Sequence, residues 1–196
     1  MKTYKTTTEK PCLEIVFDQY AESPRKHNDN LGYFITCERN YNSPDDNREL
    51  ESLIKNTGDE GENAEEHIEK IKTEMEANGY GKVLAIYPVY KYEHGGVVYR
   101  RGTAHGFDYS NCGFYIVTDK TAEVLGITPK DFEKVIDAEL ETYNKWANGE
   151  VYAWTLYDEN GEIVDGGGDY YSLEEIRAEL PEEWQNEKLE DYQTND

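Results

Sequence analysis

Charge in this chain is not spread evenly, and its distribution limits where a core can form. Residues 44–79 carry twelve acids against four bases and residues 158–196 carry fourteen against two, so these two blocks supply −20 of the formal net charge of −22. The rest is nearly neutral, with net 0 over residues 1–43, +1 over 80–128 and −3 over 129–157. A block of like charge repels itself when compacted. The core must therefore come largely from the neutral stretches. The hydrophobic share of 37% is low, but 17 Tyr, 5 Phe and 3 Trp offset it, since each aromatic ring can bury roughly 150–250 Å². A folded chain is expected rather than a disordered one, with 1–180 as a single α+β domain, 44–79 as its acidic helical insert and 181–196 as an acidic C-terminal tail.

Such a surface repels phosphate, which disfavours direct binding of nucleic acid through a basic groove and docking on an anionic membrane. Its natural partners are basic proteins, metal cations or nothing at all. Three cysteines, Cys12, Cys37 and Cys112, are odd in number and lack metal-ligand spacing, which fits a reducing compartment. The segment MKTYKTTTEKPC has no apolar h-region and no window approaches 18 apolar residues, so a soluble, cytoplasmic protein is expected.

In the first acidic block Ile68, Ile71 and Met75 recur at i, i+3 and i+7, which predicts a helix from about Asn63 to Ala77 closed by Asn78-Gly79. Glu62, Glu65, Glu66, Glu69, Glu74 and Glu76 occupy its other faces. In the second block, Tyr152 to Tyr157 alternates before Asn160-Gly161 and predicts a hairpin. Ser172 ahead of Glu174 and Glu175 predicts a helix N-cap, and Pro181 ends that helix. Glu179, Glu182 and Glu183 extend the acidic surface. The residues beyond Pro181 are polar and terminal and are expected to fray unless Trp184, Leu189 and Tyr192 anchor them.

Leu13 to Phe17, Tyr33 to Cys37, Lys82 to Tyr92 and Gly113 to Val117 read as strands, with a second hairpin turning at Gly95-Gly96. Pro88 lacks an N–H, which predicts an edge position or a bulge. Thr128-Pro129 starts a helix with Phe132, Val135, Ile136, Leu140, Tyr143 and Trp146 on one stripe. The order implies an α+β fold, a mostly antiparallel sheet with hairpins and three to four helices.

Chemistry-bearing patterns are few. His94, His105, Asp108 and Cys112 lie in one loop-rich stretch, but without a GxSxG, HExxH or CxxC frame. The run DENGEIVDGGGD has alternating oxygen donors, yet Ile163 and Asp169 stand where a calcium loop requires Gly and Glu. Arg25-Lys26 and Arg100-Arg101 are too few for a nucleic-acid patch and are expected to pair with the acidic segments of the same chain. No cofactor and no catalytic residue is implied. What exceeds a merely solvating surface is the concentration of carboxylates. Spaced along helices on the scale of duplex phosphates, about one charge per 1.7 Å of axis, they would be drawn to a DNA-binding cleft.

Two stretches carry a resemblance. The run FDQYAESPRKHNDNLGYFITCERNYN, with AESPR at Ala21 to Arg25, DNLG at Asp29 to Gly32 and an end near Arg39-Asn40-Tyr41, is similar to an N-terminal motif of uncharacterised accessory proteins of phages and mobile elements of Gram-positive bacteria. The stretches YPVYKYEHGG, FDYSNCGFYIVTDKTAEVLG and ELETYNKWANGEVYAWTLYDENGEIVD resemble the same proteins' later portion, including a TYxxWxxGxVY junction. The resemblance covers roughly residues 14–42 and 84–170 and brings no catalytic residues. It implies a mobile-element setting, in which small acidic proteins block host defences.

The leading expectation is a non-enzymatic anti-defence protein that binds a basic host defence protein with a nucleic-acid cleft, a CRISPR effector or a restriction enzyme. Its contacts would be the two glutamate groups, acting by nucleic-acid charge mimicry. The alternatives are a non-inhibitory interaction module of the mobile element, and a hydrolase built on His105 and Cys112.

Overall fold

Helices are interspersed among runs of strands along the chain, and the strands form two separate four-stranded sheets. A computed structural model describes residues 12–27, 29–38, 42–57 and 63–194. The fold is α+β and mostly antiparallel, with six α-helices and eight strands among the described residues. The packing divides into two compact units, one of residues up to Ser23 with those from Lys145 onward, the other of Pro24–Asn144. No helix among the described residues is long and apolar enough to cross a membrane.

The unit that joins the chain's two ends is built on β1 (Cys12–Phe17), with β6 (Tyr152–Tyr157), β7 (Ile163–Tyr170) and β8 (Gln193–Thr194), in the order β7-β6-β1-β8. Alternation in β1 sends Leu13 and Ile15 inward, opposite Leu156 and Trp154 of β6. The β6–β7 turn uses Gly161 at φ 82°, a conformation glycine adopts without strain. Helix α6 (Leu173–Glu179) buries Ile176 and starts at Ser172, whose hydroxyl accepts from the Glu175 N–H at 3.2 Å.

Over its described residues the acidic tail is folded against this unit instead of frayed. Leu189 is fully buried among Leu13, Ile15, Trp154 and Ile176, and Trp184 and Tyr192 pack against that cluster. The tail then runs parallel to β1 as β8, with Gln193 opposite Ile15. A few apolar anchors thus hold a highly charged segment, because burying one leucine is worth roughly 1.5–3 kcal/mol. Residue 180 bounds neither unit.

The other unit has the sheet order β2-β5-β3-β4, from β2 (Tyr33–Thr36), β3 (Val83–Glu93), β4 (Val97–Arg101) and β5 (Tyr109–Thr118). Pro88 lies in β3, an inner strand, one residue before the irregularity at Val89/Tyr90 and one beyond the last residue paired with β4. Its carbonyl accepts from Gly102 N–H at 2.7 Å, so its nitrogen faces the side where β4 has ended. No ladder bond is lost there. One core cluster comprises Ile35 and Ile116 of the sheet with Leu50 and Ile54 of α2 (Arg48–Thr57) and Ile71 and Met75 of α3 (Ala64–Ala77). Helix α5 (Phe132–Ala147) follows a 3-10 turn at Pro129–Asp131 and buries Phe132, Ile136, Leu140 and Tyr143. Short helices α1 (Pro24–His27) and α4 (Asp119–Leu125) complete the set.

Arg25 of α1 is the electrostatic keystone of this unit. Its Nε and Nη2 donate to Asp45 at 2.6 and 3.1 Å, Nη1 to Glu139 and Asn30 at 2.8 Å each, and Nη2 to the Gly32 carbonyl at 2.6 Å. Burial alone would lower the pKa of this guanidinium, but Asp45 and Tyr115 outweigh it and hold the group above its ordinary value. Arg25 thus pairs with an acid of the first block, as expected. Arg101 pairs with Glu133 and Asp137 of α5, outside both acidic blocks.

Candidate functional site

The first acidic block folds as a pair of helices with their apolar sides committed to the core. Asn47 accepts from the Leu50 N–H at 3.0 Å and starts α2; Asn63 accepts from the Glu66 N–H at 2.9 Å and starts α3. Leu50, Ile54, Ile71 and Met75 then lock both helices against the sheet, and His67 sets its ring edge-on to Phe114 at 5.8 Å. With the inner faces fixed, Glu65, Glu66, Glu69, Glu74 and Glu76 of α3 are all exposed. Glu62 lies outside the described residues.

At 100° per residue, Glu65, Glu69 and Glu76 fall within about 40° of one another, forming a stripe, while Glu66 and Glu74 turn progressively toward the α2 side. Five carboxylates and two lysines over 14 residues leave about one net charge per 7 Å of axis, using about 1.5 Å of rise per residue. That is about fourfold sparser than duplex phosphate and twofold sparser than a single strand. Lys72 is itself 2.6 Å from Glu69. The helix is strongly attractive to cations without copying the charge density of DNA.

Between α2 and α3 runs a groove of about 780 Å³. Glu49, Ser52 and Asn56 line it from α2, Glu69, Lys70, Thr73 and Glu74 from α3, and Leu53 and Tyr80 contribute apolar surface. Tyr80 is held edge-to-face against Tyr33, with ring centroids 5.6 Å apart. The α2 half of the groove belongs to no motif identified in the sequence. Its signal was nonetheless present, as Leu50, Leu53, Ile54 and Thr57 recur at i, i+3, i+4 and i+7.

In the other unit, Glu174, Glu175 and Glu179 lie exposed on α6, with Glu182 and Glu183 exposed just after it. Glu175 is already in use: its Oε2 accepts the Tyr171 N–H at 2.6 Å while its own N–H is capped by Ser172, a reciprocal closure of the helix start. Four of these five carboxylates remain for a partner.

The His and Cys stretch comes together only in part. His94 Nδ1 lies 3.7 Å from Asp108 Oδ2 with both side chains exposed. His105 is exposed on its loop. Cys112 is buried, its Sγ donates to the Val89 carbonyl at 3.5 Å, and burial pushes its thiol up to about 12. A nucleophilic cysteine needs a shift in the opposite direction. Among the described residues no group of three or more His, Cys, Asp or Glu is placed to hold a metal ion.

Comparison with protein-family models, with curated proteins and with solved structures found no match.

Proposed function

We propose that this chain is a non-enzymatic binding protein that engages a basic, nucleic-acid-binding partner and occludes the partner's nucleic-acid site. This is the anti-defence role that the resemblance to phage and mobile-element accessory proteins implies, with a CRISPR effector or restriction enzyme as the target class. The observation carrying the reading is the rigid display of exposed glutamates on α3, whose opposite face is locked into the core by Ile71 and Met75. A rigid carboxylate surface keeps its geometry on binding and loses little side-chain-bearing backbone freedom. The sparse charge of α3 favours attraction to a basic cleft over faithful imitation of a duplex.

Electrostatic attraction of this kind acts mainly on the association rate and weakens as the Debye length falls from about 8 Å at 0.15 M salt to about 3 Å at 1 M. The test is recovery of a partner from host lysate, followed by its association kinetics with the wild type and with the charge-reversed variant E65K/E66K/E69K/E76K. The reading expects an association rate that falls at least tenfold with salt and with reversal. Rates indifferent to both would sink it. A recovered partner that keeps its nucleic-acid binding in the complex would instead favour a non-inhibitory interaction module.

A further inference from the structure

We infer that the groove between α2 and α3 seats an arginine side chain of the partner, so that the acidic surface includes one defined cation site rather than diffuse attraction alone. This rests on the reading that the partner is a basic protein, and it adds where and by what chemistry the partner is held.

The groove has the volume of a ligand site, about 780 Å³ against roughly 300–1,000 Å³ for typical small-ligand pockets. Its lining is rich in acceptors: the carboxylates of Glu49 and Glu74, the side-chain carbonyl of Asn56, and Glu69, which already meets Lys72 at 2.6 Å, against the ammonium of Lys70. An anion entering there would face three carboxylates. A bare metal ion is also a poor match, because among the described residues no three such donors converge on one point. Carboxylates distributed around a wide groove suit a cation that is itself extended.

A guanidinium fits those requirements better than an ammonium. It carries five N–H donors in a planar fork and no acceptor, so it can bridge acceptors on two helices at once. It also stacks on aromatic rings, and Tyr80 lines the groove with its ring fixed against Tyr33. Leu53 of α2 offers apolar surface to the three-carbon stem. Glu123 and Glu150 are exposed, do not line the groove and belong to neither group of proposed contacts. They provide an internal control of equal charge.

The test is calorimetric titration of the full chain at 0.15 M salt with a hexa-arginine peptide, and with hexalysine and spermidine as competing cations. The variants are E49Q/E74Q in the groove and E123Q/E150Q outside it; each removes two charges from exposed positions, and circular dichroism checks that both stay folded. The inference expects hexa-arginine to bind severalfold tighter than hexalysine or spermidine, at least tenfold weaker binding for E49Q/E74Q, and less than threefold weakening for E123Q/E150Q. Chemical shifts of the Tyr80 ring should move on titration. Equal weakening by both variants overturns the seat while leaving the acidic-surface reading intact. Hexalysine or spermidine binding as tightly as hexa-arginine overturns the arginine assignment, and no binding of hexa-arginine overturns the seat outright. The acidic-surface reading fails separately, if charge reversal on α3 leaves capture of the lysate partner unchanged.

Discussion

Replacing Arg25 by Met removes the hub of the Pro24–Asn144 unit while keeping much of the side chain's length. The guanidinium is only 2% exposed, and its partners Asp45 and Glu139 are 12% and 16% exposed. Met supplies no donor, so two largely buried carboxylates are left without their shared cation. Breaking a buried pair from one side is worth about 3–5 kcal/mol, about a fifth or more of a typical domain stability of about 5–15 kcal/mol. With a urea m-value of about 2–3 kcal/mol/M, the midpoint should fall by about 1–2.5 M. All three tryptophans, Trp146, Trp154 and Trp184, lie outside residues 24–144, so this unit is followed by tyrosine near-ultraviolet circular dichroism. A second signature is pH. Without Arg25, burial holds the Asp45 carboxyl above its unfolded pKa, and a group raised in the folded state contributes stability that is fully present below the unfolded pKa and lost as pH rises through the folded one. The deficit of R25M should therefore shrink as pH falls toward about 4. A loss under 1 kcal/mol, or one that does not change with pH, would refute the keystone role.

Three further outcomes follow from the same structure. L189A should destabilise the unit containing the tail by about 2–5 kcal/mol, as for other fully buried leucines, with a shifted tryptophan fluorescence transition; an unchanged midpoint would mean the tail is not docked through Leu189. Alanine at Gly32 would place its Cβ 2.3 Å from the Ile116 carbonyl oxygen, and overpacking of this sort is worth about 1–3 kcal/mol, measurable by thermal denaturation. Burial holds Cys112 and Tyr143 up to about 12, so the folded state keeps protons that the unfolded state has already released. Stability should be level below about pH 9 and fall as pH rises toward 12, by at most about 1.4 kcal/mol per pH unit for each group; an alkaline titration followed by circular dichroism checks the direction.

Local pattern carried much of this fold. The helix at α3 was legible because Ile68, Ile71 and Met75 repeat with helical spacing and Asn78-Gly79 marks its end, and the β6–β7 hairpin because strict alternation meets Asn160-Gly161. Partner choice was not legible. Strand β1 pairs with β6, where Ile15 lies opposite Trp154, and no periodicity in either strand encodes a pairing across so long a span. One expected sheet is therefore two. Helix α2 was hidden because its apolar positions are interleaved with Glu49, Glu51 and Lys55 inside a block dominated by charge. The groove shares that fate, since it exists only once α2 and α3 pack side by side. Glu175 shows a different limit: in sequence it is one more acidic residue, whereas the fold uses its carboxylate to close the start of α6.

The measurement that bears most directly on the proposed function is a three-component competition. A nucleic-acid-binding partner recovered from host lysate is loaded with a fluorescent oligonucleotide of the kind it binds, and wild type or E65K/E66K/E69K/E76K is added. The account predicts stoichiometric release of the oligonucleotide by the wild type, with the reversed variant at least tenfold less effective. Oligonucleotide that stays bound while the wild type is also bound, or release that is equal for both proteins, would contradict it.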